Sequence, residues 1–175
     1  DYRSGIDVMT TETTCLSSVW QTDTNTQTAL TLLGRGAEYH PMQPKEGAYY
    51  DRVVCVELDK VQPMIALPFH PSNAFPIAEF QENMADMLHM VEQNTRDQLG
   101  IEPPAPLSAK IKNGKFHVDQ AVIAGCSGGT YQNLRRAAEI LGTTATGSDH
   151  FWLSCYPGSM PVMQELTRQG YITTL

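Results

Sequence analysis

A chain of 175 residues with 41% hydrophobic and 18% charged residues and a mean hydropathy of -0.29 has the composition of an ordinary globular protein, long enough for one large or two small domains and able to bury roughly 70% of its unfolded surface. A formal net charge of -7 and a pI near 5.1 argue against nucleic-acid binding, since no basic stripe is present, and no apolar stretch approaches the roughly 20 residues of a membrane span. The cysteines at 15, 55, 126 and 155 form no C-x-x-C pair, and no secretory leader can be read, so the expected compartment is the reducing cytoplasm, with thiols free, metal-bound or buried.

In chain order, residues 7–20 are crowded with Thr and Ser and read as turn-rich or helix-prone. Asp23 or Asn25 can cap a short helix carrying Ala29, Leu30, Leu32 and Leu33, which Gly34 and Gly36 end. Residues 52–58 (RVVCVEL) are β-branched between two aspartates, a strand signal. Residues 64–73 (MIALPFHPSN) hold two prolines and read as extended and turning. Pro76 then opens one long amphipathic helix in which Ile77, Phe80, Met84, Met87, Leu88, Val91 and Leu99 recur at helical spacing.

Residues 100–106 (GIEPPAP) stop that helix and divide the chain into pieces 1–100 and 101–175. Asn113-Gly114, flanked by alternating apolar residues in 110–118, is a hairpin signal. Residues 121–125 read as a buried strand, 126–130 (CSGGT) as a tight turn, and 131–141 as a helix with Leu134, Ala137, Ala138 and Leu141 on one face, ended by Gly142. A strand over 151–156, the turn PGSMP and a helix over about 162–169 complete the chain. Strand–turn–helix repeated twice implies an α/β fold, with mostly parallel strands covered by helices.

The stretch 121–134 (AVIAGCSGGTYQNL) carries the chemistry. A strand hands over to a helix at Cys126, where backbone N–H groups lack partners and a thiolate is favoured. Carboxyl ends of parallel strands are also where ligands bind. Cys126 is then a metal ligand or a nucleophile; the bland alternative is a glycine-built turn with a small buried cysteine. CSGGT has neither P-loop spacing nor the P-loop lysine.

The run VELDKVQPMIALPFHPSNAFPIAEF, followed by VIAGCSGGTYQNLRRAAEIL and FWLSCYPGSMPV, resembles the aconitase and 3-isopropylmalate dehydratase superfamily in order and spacing. The opening TTETTCLSSVWQTDTNT resembles an earlier segment of the same family, so the similarity covers most of the chain. The resemblance implies a three-layer α/β/α iron–sulfur region in which Cys126 is the first ligand of a 4Fe-4S cluster. It further implies a hydro-lyase acting on a small di- or tricarboxylic acid, whose open-site iron is a Lewis acid. Backbone N–H groups of Ser127, Gly128 and Gly129 would bind the substrate's carboxylates.

Where the family carries T-N-S after the ligand cysteine, this chain has Ser127, Gly128 and Gly129. Opposite the family's active-site Asn and Glu stand Leu16 and Trp20, which points away from citrate chemistry and toward a divergent hydratase. The two remaining cluster cysteines, a C-x-x-C pair, are absent, which implies an internal piece of a longer enzyme, inactive alone, whose partners are the remaining domains. Cys55 and Cys155 read as core thiols, Cys15 as a buried small residue or cleft lining, and His70 as a loop cap or cleft residue. His40, His89, His117 and His150 show no metal spacing, and Arg135 and Arg136 read as a solvated face or a carboxylate clamp. Two rivals to the hydratase stand: a thiol enzyme using Cys126, and a carboxylate-binding module without catalysis.

Overall fold

The computed structural model describes residues 2–144 and 151–175; His150 lies outside them. Helix α1 (Tyr2–Asp7) continues into a 3-10 turn, Val8–Thr10, and helix α2 (Thr24–Leu32) follows. Asp23 caps α2 with a capping box. Its carboxylate accepts from the Thr26 amide at 3.0 Å, and the Asp23 N–H donates back to Thr26 Oγ1. Arg3 pairs with the same Asp23 carboxylate, so α1 is tied to the start of α2. That pairing, first, and the Thr26 amide hold the Asp23 carboxyl well below the usual carboxylate range.

Strands β1 (Met64–Ala66) and β2 (Ala74–Pro76) pair antiparallel, and helices α3 (Ile77–Glu82) and α4 (Met84–Leu99) follow. The long helix expected from Pro76 is thus broken at Asn83, whose backbone leaves helical geometry (φ -127°, ψ 30°) while its side-chain amide donates to the Glu79 carbonyl at 3.2 Å. Gly100 ends α4 in the left-handed conformation that only glycine adopts cheaply. Leu67, Phe80, Met87, Leu88 and Val91 form the core of this unit, while Met90 on the same helix is 40% exposed.

Strands β3 (Ile111–Lys112) and β4 (Lys115–Phe116) make the hairpin foreseen from Asn113-Gly114, both residues having positive φ (53° and 70°) as its two-residue turn demands. Leu107, Ile111 and Phe116 pack onto the α3–α4 core, with Phe80 and Phe116 edge to face at 5.4 Å, so this cluster draws on residues from both sides of 100–106. Glu92 is buried on α4, and its carboxylate accepts from the Leu107 amide.

Strand β5 (Gln120–Ile123), the one-turn helix α5 (Gly125–Gly128), helix α6 (Tyr131–Leu141), strand β6 (Trp152–Cys155) and helix α7 (Met160–Arg168) form the last unit. Strands β5 and β6 pair parallel, from Gln120 with Trp152 to Ile123 with Cys155. Leu134 and Ala138 of α6 and Leu166 of α7 are buried.

The mixed α/β class holds. Among the described residues the strands form three two-stranded sheets, of which one is parallel and two are antiparallel. Three expectations are corrected. Among the described residues, 52–57 form no ladder and Leu58 opens a 3-10 turn (Leu58–Lys60), and Cys55 is exposed. Strand β5 is half-buried on one face only, Val122 being 53% exposed, because a two-stranded pair has no neighbour to cover its other face. The accessible surface is 13781 Å², about half of the roughly 28,000 Å² an unfolded chain of this mass exposes, so burial falls well short of 70%.

Candidate functional site

At the carboxyl end of the β5–β6 pair, two strand-to-helix turns lie against each other. Ala124 is extended, Gly125 turns with φ +82°, and the chain winds through α5 before Thr130 opens α6. On the neighbouring strand, Cys155 leads through Tyr156 and Gly158 to Ser159, whose hydroxyl caps α7 by accepting from the Val162 amide.

The turns touch backbone to backbone. The Gly158 N–H donates to the Gly129 carbonyl at 2.8 Å. A Cβ on Gly129 would stand 2.5 Å from the Tyr156 carbonyl oxygen, 2.7 Å from that of Gly125 and 2.9 Å from the Gly158 nitrogen. Glycine at 129 is required by this crossing.

Cys126 is exposed on α5, one residue from Ser127. The bland expectation of a buried space-filling cysteine is therefore excluded. A separate one-turn helix stands between β5 and α6, however, and so short a helix carries little macrodipole to favour a thiolate. Among the described residues no base is hydrogen-bonded to the Cys126 sulfur, as an activated nucleophile would require.

Ser127 and Gly128 are half-buried; the Ser127 N–H, in the first turn of α5, has no partner within the helix, whereas that of Gly128 is the first to bond back, to the Ala124 carbonyl. The Gly129 N–H likewise donates to the Gly125 carbonyl at 2.9 Å and so is not free to hold a carboxylate. The Ser127 carbonyl accepts from the Asn133 side-chain amide at 2.8 Å, bracing the turn against α6.

Beside this turn lies a cleft of about 290 Å³, with Tyr2, Ile6 and Met9 on one wall and Ser127, Thr130 and Asn133 on the other. Its lining carries no charged side chain. Thr130 Oγ1 is buried without a hydrogen-bond partner among the described residues, an acceptor and donor held at the cleft. Sequence reasoning missed Thr130 and Asn133, although a Thr before a helix and an Asn in its first turn are signals of a capped junction. It also missed α1, whose wall becomes visible only once α1 packs on α5.

Other candidates lie elsewhere. Leu16 is fully exposed and Trp20 is 39% exposed. Cys15, expected to be buried, is exposed and accepts from the Thr13 hydroxyl at 3.2 Å. Cys155 is partly buried on β6, and burial pushes its thiol up. His70 caps its own loop: its Nδ1 accepts from the Ser72 amide at 3.2 Å and sits 2.7 Å from the Ser72 hydroxyl. Arg135 and Arg136 share Glu139, at 2.8 and 3.0 Å, on the exposed face of α6.

The family model for the aconitase family (aconitate hydratase) matches residues 1–175. The chain belongs to the aconitase family. Among relatives of this aconitase-family chain, the 3-isopropylmalate dehydratase large subunit of Aliarcobacter butzleri is 29% identical over 130 residues, covering 74% of this chain and 23% of that protein. A 3-isopropylmalate dehydratase large subunit of Methanopyrus kandleri is 24% identical over 140 residues, or 80% of this chain and 25% of the relative. The mitochondrial aconitate hydratase of Arthroderma benhamiae is 25% identical over 138 residues, 77% of this chain and 14% of the relative. The chain thus spans about a quarter or less of the length of these relatives.

The iron–sulfur cluster that the family implies can be tested against this geometry. Among the described residues no three His, Cys, Asp or Glu side chains gather to hold a metal. One thiol, Cys126, is exposed on a glycine-built turn at the strand ends, which fits a single ligand completed from elsewhere.

Proposed function

We propose that this chain is the part of a hydro-lyase that presents Cys126 as one thiolate ligand of a 4Fe-4S cluster and forms one wall of the substrate site. The observation that carries the reading is the exposed Cys126 on the turn held by the Gly129–Gly158 crossing, at the carboxyl end of the parallel pair. The relatives named as dehydratases and hydratases support the reaction class. The bound cluster would supply a Lewis-acidic iron with an open position.

The chain's own residues position and shield. The Ser127 amide, unpaired within its helix, would hold a substrate carboxylate beside the Gly128 backbone, and the Thr130 hydroxyl would donate to it or to a substrate oxygen. Gly129 enters as the close-packing residue that sets where Ser127 and Gly128 stand. Tyr2, Ile6 and Met9 would exclude water from the opposite wall. The substrate is a small di- or tricarboxylic acid, the remaining ligands come from other parts of the enzyme, and these 175 residues alone should show no turnover. Exposed free thiols at Cys15, Cys55 and Cys126 suit a reducing compartment such as the cytoplasm.

Anaerobic reconstitution of the product of the complete gene with iron and sulfide tests the proposal. A cluster absorption band at near-full occupancy that Cys126→Ser abolishes or sharply lowers is the expected result. An unchanged band in that variant would remove Cys126 from the ligand set.

A further inference from the structure

Residues 52–58 (RVVCVEL) are a β-branched run of the kind that packs in sheets. Among the described residues, however, positions 49–56 make no backbone hydrogen bond at all. Val53 and Val54 are 85% and 86% exposed, and Val56 and Leu58 are 64% and 80% exposed. When such a run is extended, alternation puts Val53, Cys55 and Glu57 on one face and Arg52, Val54 and Val56 on the other, before Leu58 opens a 3-10 turn (Leu58–Lys60). Between the charged ends Arg52 and Glu57, the centre of the run (53–56) is apolar on both faces, as in a strand inside a covered sheet and unlike an edge strand facing water.

We infer that residues 52–57 are an interior β-strand whose neighbouring strand and covering layers belong to polypeptide outside these 175 residues. Area identifies this occupant. A compact protein of 19.4 kDa exposes roughly 8,500 Å², so the 13781 Å² observed exceeds it by about 5,000 Å², some three times a standard interface of roughly 1,600 Å². A second copy paired edge to edge would satisfy the ladder and still leave apolar faces wet. The rest of a longer aconitase-family polypeptide could cover both, and the relatives above are about four or more times as long as the stretch that matches.

Hydrogen exchange read by mass spectrometry decides it, comparing the product of the complete gene with the 175-residue chain alone. Amides of residues 53–57 should exchange at least about 100-fold more slowly in the complete product. Equal rates overturn the inference, as does a gene that encodes nothing beyond these residues. Protection in the 175-residue chain that grows with its concentration assigns the strand to self-association and overturns it as well. Independently, Val54→Asp should lower the Tm of the complete product by roughly 5–10 °C and that of the 175-residue chain by less than about 2 °C; equal shifts refute it. Neither readout involves metal or turnover, so its failure is distinct from failure of the cluster proposal.

Discussion

The two adjacent glycines of the Cys126 turn should respond to alanine with opposite signs. At Gly129 the new methyl group meets three backbone atoms at 2.5, 2.7 and 2.9 Å, and none can swing aside as a side-chain tip would. Relief requires the two turns to part by about half an ångström or more, which strains or breaks the 2.8 Å bond from the Gly158 N–H to the Gly129 carbonyl. Overpacking of this kind costs about 1–3 kcal/mol and the hydrogen bond about 1 kcal/mol more, so Gly129→Ala should destabilise by about 2–4 kcal/mol. At Gly128 the nearest atom to a Cβ is the Ile123 methyl at 3.9 Å, an ordinary contact. The residue sits in a helical turn, so Gly128→Ala should be neutral or stabilise by about 0.4–1 kcal/mol through the unfolded chain. Thermal unfolding followed by circular dichroism reads both, with Gly129→Ala lowering Tm by roughly 5–15 °C. Equal Tm values for Gly129→Ala and the parent, or an equal loss in both variants, would refute the backbone-crossing account.

Leu88 is fully buried on α4, and Leu88→Ala should cost about 2–5 kcal/mol, seen as a lower urea midpoint; a loss below about 1 kcal/mol would mean that α4 is not core. Under iodoacetamide near neutral pH, Cys155 should be the slowest of the four cysteines, because partial burial both shields it and pushes its thiol up, and peptide mapping gives the order. Hydrogen bonds from Arg168, then Gln169, hold the Glu165 carboxyl down to about 2. Because that folded value is depressed, its stabilisation is fully present above the unfolded value of roughly 4.3 and is lost as pH falls through about 2. An NMR titration should show Glu165 returning toward roughly 4.3 in Arg168→Ala, and an unmoved midpoint would exclude the pairing.

Local signals were legible where they were self-contained. Asn113-Gly114 specified its hairpin because two positive φ angles leave few alternatives, and of the two cap candidates, Asp23 and Asn25, it is Asp23 that finds its partner amide three residues away. Helix α6 was readable to the residue, with Leu134 and Ala138 on its buried face. The reading weakened where the outcome depends on distant chain. Asn83 interrupts an otherwise continuous apolar stripe through its own side-chain bond, which periodicity does not register. Residues 52–58 have strand composition but no ladder partner among the described residues. At the site, Cys126 and the glycine turn were visible as a motif. The wall built by α1 was not, because it arises from packing between segments more than a hundred residues apart. The role of Gly129 was misassigned for the same reason, since its neighbours Tyr156 and Gly158 are remote in sequence.

The direct abutment of Gly129 and Gly158 makes the cysteine-bearing loop and the start of α7 one mechanical body. With no side chain between them to flex, a displacement of Cys126 by whatever it grips must be passed on to Ser159 and the helix it caps. A spectroscopic label on the exposed Met160 position would therefore report events at residue 126 from across the crossing, without touching the thiol itself.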